Sequence, residues 1–171
     1  IEVLLGIEQD YFSTEPTDDY DYVIGSVHYV YKDGGYFPVD ESADIQIKAV
    51  NTHYNGDFMA YCEDYYSLVG DVYNKTKCDI IGHFDLVTKF NEDKNLFDTA
   101  DARYIKASND ALYTLLETPA VFEINYGAIS RGYRKTPYPD DRILGIIVSS
   151  GHKTINTSDC HDREKLLLGL I

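Results

Sequence analysis

Apolar residues recur along this chain with two periods, and the two alternate. Five short apolar or β-branched runs, each bounded by turn or polar residues, predict strands at 3–7, 22–27, 79–82, 120–124 and 153–157. Between them the period lengthens to that of a helix. Over 57–76, Phe58, Cys62, Tyr65, Val69, Val72 and Tyr73 fall on one face behind the start signal Asn55-Gly56-Asp57. A second helix is predicted over 101–117, carrying Ile105, Leu112, Leu115 and Leu116 and stopping before Pro119. Pro139 suits the first turn of a third, whose Ile143, Leu144, Ile147 and Val148 face the core before Ser150-Gly151 ends it. A fourth begins near Arg163. The stretch 29–55, rich in Asp, Gly and Tyr, reads as a long loop on the substrate side. Strands alternating with helices predict an α/β fold with a parallel sheet.

Composition narrows the partners. The 171 residues make one domain, 1–171, with 15 Lys+Arg against 29 Asp+Glu and a net charge of −14. Such a charge repels nucleic acid and anionic lipid alike. No apolar run reaches the length of a membrane span. A small anion is still admissible, because it needs only two or three local cations. Three cysteines, Cys62, Cys78 and Cys160, without CxxC spacing point to a reducing compartment, the cytoplasm. The chain opens inside the apolar run Ile1-Glu2-Val3-Leu4-Leu5-Gly6-Ile7 and stops at Leu166-Leu167-Leu168-Gly169-Leu170-Ile171. It therefore reads as a domain cut at both ends, for which self-association is expected.

The residues able to do chemistry follow successive strands. Glu8 comes after the first, His28 after the second, His83 after the third, Asn125 after the fourth, and Asp159 with His161 after the fifth. Parallel β/α strands point their C-terminal ends at one mouth, so these groups are expected to converge there. A full barrel takes about 250 residues, so an incomplete one is expected here. Two carboxylates and three imidazoles suit zinc, manganese or iron. His53 and His152 lack that placement and read as structural, and Cys160 as a small buried residue rather than a nucleophile. Arg131, Arg134 and Arg163 lie in loops on the same side, where a guanidinium fork matches phosphate oxygens; the signal is weakest for Arg134.

Six blocks then carry a resemblance. Leu5-Gly6-Ile7-Glu8-Gln9-Asp10-Tyr11-Phe12, Ile24-Gly25-Ser26-Val27-His28, Ile81-Gly82-His83-Phe84-Asp85-Leu86-Val87, Phe122-Glu123-Ile124-Asn125, Pro137-Tyr138-Pro139 and Ser158-Asp159-Cys160-His161 occur in an order that resembles the polymerase and histidinol phosphatase (PHP) family. Within it, the histidinol-phosphate phosphatases of histidine biosynthesis are the most similar. The resemblance implies a distorted seven-stranded TIM-like (β/α) barrel, incomplete in this chain, that hydrolyses a small phosphomonoester at a centre of up to three divalent metals. It implies Glu8, His28, His83, Asp159 and His161 as metal ligands and Arg131 and Arg163 as stabilisers of the phosphoryl charge, with Asp159 also catalytic. The family's opening His-x-His motif is absent from this chain, which implies at most about one metal here and little activity. Other readings are a different PHP phosphoesterase, acting on nucleotide, nucleic acid or phosphotyrosine, and a metal-binding fragment without catalysis.

Overall fold

The structure is a computed structural model that describes residues 2–169. Strands β1 (Gly6–Asp10), β2 (Tyr22–Ser26), a hairpin of β3 (Tyr29–Lys32) and β4 (Gly35–Pro38), and helices α1 (Ala43–His53) and α2 (Phe58–Thr76) come first. Then follow β5 (Ile80–Ile81), the short α3 (Asn91–Lys94), α4 (Ala102–Leu116), β6 (Val121–Asn125), the short α5 (Gly127–Ser130), α6 (Asp141–Ser149) and β7 (Thr154–Thr157). The sheet is five-stranded, in the order β1-β2-β5-β6-β7, and every neighbouring pair in it is parallel. Among the described residues it is an open α/β sheet with β1 and β7 at its edges. No closed barrel forms among the described residues.

Local side-chain caps start the helices. Asp57 accepts hydrogen bonds from the Met59 and Ala60 amides, Asp101 from Arg103, and Asp140 from Ile143, satisfying donors at each helix N-terminus that have no partner within the helix. Helix α2 lays its apolar stripe against the sheet, and α4 packs on α2. The core there is built largely from tyrosine: Tyr61, Tyr65, Tyr66, Tyr104 and Tyr138 are all buried. Tyr66 and Tyr104 share a hydroxyl hydrogen bond of 2.8 Å, and Tyr65 donates to the Phe84 carbonyl, which lets these polar tips sit inside.

Four expectations need correction. The stretch 29–55 is not a loop. Asp33 and Gly34, with φ of 49° and 83°, close a hairpin whose register pairs Tyr31 with Tyr36; positive φ at both central residues suits a primed turn. Ser42 then caps α1 through the Ile45 amide. The first strand begins at Gly6, because Gly6 is the first residue with a partner, Tyr22, on β2; Val3, Leu4 and Leu5 are exposed. Pro139 precedes its helix, since Tyr138 exchanges both backbone hydrogen bonds with Asn125 and keeps that segment extended. The helix expected near Arg163 is a single 3-10 turn, Arg163–Lys165. Ile1, Leu170 and Ile171, at the outer ends of the two terminal apolar runs, lie outside the described residues.

Candidate metal centre

Parallel pairing puts all the strand-end residues at one edge of the sheet. Glu8 sits within β1 rather than after it, so that Glu8 and Asp10, two residues apart, project from the same face. His28 follows β2, and His83 follows β5. Glycine allows that crowding: a Cβ on Gly82 would stand 2.4 Å from the Ser26 hydroxyl.

Three side chains converge. Glu8 Oε1 lies 2.9 Å from His83 Nε2 and 3.3 Å from His28 Nε2. One ligand atom from each of the three falls within 4.8 Å of the others. His83 is buried and His28 is half-buried, while the Glu8 carboxylate opens to solvent on one side. The imidazoles do not float. Asp10 Oδ2 accepts from the His28 amide at 3.0 Å and faces His28 Nδ1 at 3.2 Å. Glu123 Oε2 accepts the His83 amide at 2.7 Å.

The electrostatics follow from that packing. Burial works against ionisation of Glu8, yet the hydrogen bonds to His28 and His83 hold its carboxyl far below the usual carboxylate range. Burial opposes charge on His28, but Asp10 on one nitrogen and Glu8 on the other push it up to about 10. His83 is raised by Glu8 against burial, and Asp10 is lowered by its bonds with His28 and with the Phe12 amide, again against burial. A carboxylate between two imidazoles, with one ring held by a further carboxylate, is the donor set of a divalent cation with open positions. The residues fit such an ion.

Asp159 and His161 reach the same edge but form a separate group. His161 Nε2 is 3.2 Å from Asp159 Oδ1, and Arg131 Nη2 is 3.0 Å from Asp159 Oδ2. Gly127 leaves room for that carboxylate, since a Cβ there would sit 2.1 Å from Asp159 Oδ2. Arg163 is exposed. Arg134, read from sequence as the weakest phosphate ligand, turns inward instead. It donates to Thr88 at 2.7 Å, faces the wholly buried Asp85 at 3.5 Å and lies over the Tyr138 ring. Burial pushes Asp85 up to about 6, with Arg134 opposing.

His53 closes α1 on Asp33 at 2.8 Å, and His152 bonds with Ser150, both away from the cluster. Cys160 is half-buried, not buried. Sequence reasoning passed over Asp10 and Glu123 as functional groups. Asp10 was signalled by its two-residue offset from Glu8, and Glu123 by being an acid inside an apolar strand.

The chain is similar to a curated protein of Schizosaccharomyces pombe named "Probable histidinol-phosphatase", with 28% identity over 178 aligned positions that cover 94% of this chain and 54% of the relative. It shares its fold with a solved structure from Listeria monocytogenes, described as "the putative histidinol phosphatase hisK", at a TM-score of 0.75 and 18% identity, over 88% of this chain and 57% of that one. The chain thus spans about half the length of each. No family model matches it. Among the described residues no helix is long and apolar enough to cross a membrane.

Proposed function

We propose that this chain is part of a cation-dependent phosphomonoesterase of the PHP family, on a TIM-like barrel, with histidinol phosphate as substrate. The observation that carries the reading is the convergence of Glu8 Oε1 with His28 Nε2 and His83 Nε2. Those three residues would hold a zinc, manganese or iron ion. Such an ion supplies Lewis acidity toward phosphoryl oxygens. Asp10 orients His28, and Glu123 orients the His83 backbone. Arg131 presents its guanidinium beside Asp159, where it neutralises charge on an incoming phosphate, and Arg163 adds a second cation from its exposed turn. Asp159 and His161 serve further cations when the rest of a longer protein supplies partners. The names of both relatives and the order of the motifs support the substrate assignment.

Among the described residues just one group of three ligands is assembled. About one divalent cation per chain is therefore expected by elemental analysis, lost on Glu8→Ala. In the longer protein, hydrolysis of histidinol phosphate should exceed that of nucleotides, and Arg131→Ala should raise KM. A chain that retains no cation, together with hydrolysis indifferent to Glu8, overturns the reading.

A further inference from the structure

Two buried polar side chains join the segment behind His28 to the turn behind His83, where apolar packing would serve stability better. The hairpin of β3 and β4 leaves from His28 and returns to it, for the Val39 amide donates to the His28 carbonyl at 2.9 Å. Beyond His83 the chain winds back on itself. The Leu86 amide donates to the His83 carbonyl at 3.0 Å, and the Lys89 amide to the Leu86 carbonyl at 2.9 Å. Residues 39–40 and 87–89 therefore each follow the backbone of an imidazole-bearing residue. The two rings themselves stand with centroids 4.9 Å apart.

Gln46, wholly buried on α1, donates through Nε2 to both the Val39 and the Val87 carbonyls. Lys89, 8% exposed, donates from Nζ to the Asp40 carbonyl at 2.7 Å and faces Asp40 Oδ2 at 3.4 Å. Its ammonium also lies over the Phe90 and Tyr133 rings, 5.6 and 5.0 Å from their centroids. Both are costly residues to bury. An ammonium loses hydration that pairing only offsets. Gln46 Oε1 has no hydrogen-bond partner among the described residues, which is a second cost. An apolar seam would carry neither. What polar donors add is direction, because each holds a carbonyl of one segment at a fixed distance and angle from the other. Apolar contact keeps stability more readily than it keeps a unique arrangement.

We propose that Gln46 and Lys89 are positioning residues, a clasp that sets the spacing and orientation in which His28 and His83 meet a bound cation. The proposal rests on the cation-centre reading for what is positioned, and on the hydrogen bonds above for the clasp itself. Both side chains act through the backbone: Gln46 holds residue 39 to residue 87, and Lys89 holds residue 40 to its own turn.

The test loads the full chain with cobalt(II), whose visible absorption reports the geometry of its ligands as well as binding. Lys89→Met keeps an unbranched stem between the two rings and removes the ammonium, and Gln46→Met removes the amide. Folding of each variant is checked by its thermal transition. Either is expected to change the cobalt bands and to weaken cobalt binding roughly three- to tenfold, less than the roughly 10–100-fold lost with a group bonded directly to a metal ligand. Lys89→Arg, which can still donate to Asp40, should restore both. In the cation-free chain, the Val39 amide should exchange faster with solvent in Lys89→Met and in Gln46→Met. Cobalt bands and affinity unchanged in both variants overturn the proposal. Faster Val39 exchange with unchanged bands overturns it as well, since the clasp is then structural only. A wild-type chain without cobalt bands overturns the cation reading and with it the positioning role; Val39 exchange then still shows whether the clasp exists, so the two failures are told apart.

Discussion

Glu123 offers the sharpest test of how the site is held. Its side chain is only 4% exposed. Oε2 accepts from the His83 amide at 2.7 Å, and Oε1 accepts from the Thr157 hydroxyl. One carboxylate on β6 thereby ties the turn after β5 to the end of β7. A hydrogen bond to a charged group contributes about 1.5–3 kcal/mol, and removing its partner leaves a buried donor unsatisfied. Glu123→Ala deletes two such bonds, so a loss of about 3–5 kcal/mol is expected. For a domain of this size each kcal/mol moves Tm by about 2–4 °C, which gives a fall of roughly 6–20 °C by calorimetry. Glu123→Gln should cost only about 1 kcal/mol, because its carbonyl still serves the His83 amide and its NH2 can donate to the Thr157 oxygen. Affinity for a divalent cation, measured by competition with a chromophoric chelator, should fall about 10–100-fold in Glu123→Ala, as for other groups that orient a metal ligand. If Glu123→Ala keeps both the wild-type Tm and the wild-type cation affinity, Glu123 does not position His83.

Gly127→Ala would place a Cβ 2.1 Å from Asp159 Oδ2 and 2.7 Å from Asp159 Cγ. Overpacking of this kind costs typically about 1–3 kcal/mol; a variant crystal structure with the Arg131–Asp159 pair intact and an unchanged urea midpoint would refute it. Arg103 bonds to Asp57 and Glu63 and holds both carboxyls below the usual carboxylate range. Because those folded-state values are depressed, the stability they contribute is present above the ordinary carboxylate pKa and is lost as pH falls through the lowered ones. Arg103→Gln should shift both titrations upward in carboxyl-carbon NMR and flatten the acid limb of the stability curve, while unchanged titrations would count against the pairing.

Much of the scaffold was legible along the chain because its causes are short-range. The face of α2 follows from the spacing of Phe58, Cys62, Tyr65, Val69 and Val72, and its start from Asp57 three residues before Ala60. His28 and His83 were legible as strand-end residues, since a parallel sheet sends all its C-terminal ends to one edge. The turn at Asp33-Gly34 was also written locally, but the Tyr-rich flanks around it were read as loop and not as alternation. What local pattern cannot carry is partnership across the sheet. The register that starts β1 at Gly6 and places Glu8 inside the strand is decided by pairing with Tyr22 on β2. Arg131 and Arg134 stand three residues apart, yet the first meets Asp159 at the site edge and the second lies over the Tyr138 ring and faces Asp85. Glu8, His28 and His83 are separated by up to 75 residues, and Glu123 meets His83 across 40 more. Caps and periodicity act within a turn or two of backbone, whereas contacts at such separations form only after the intervening chain has been ordered, so tertiary packing alone decides which acid meets the imidazole rings and which holds the backbone behind them.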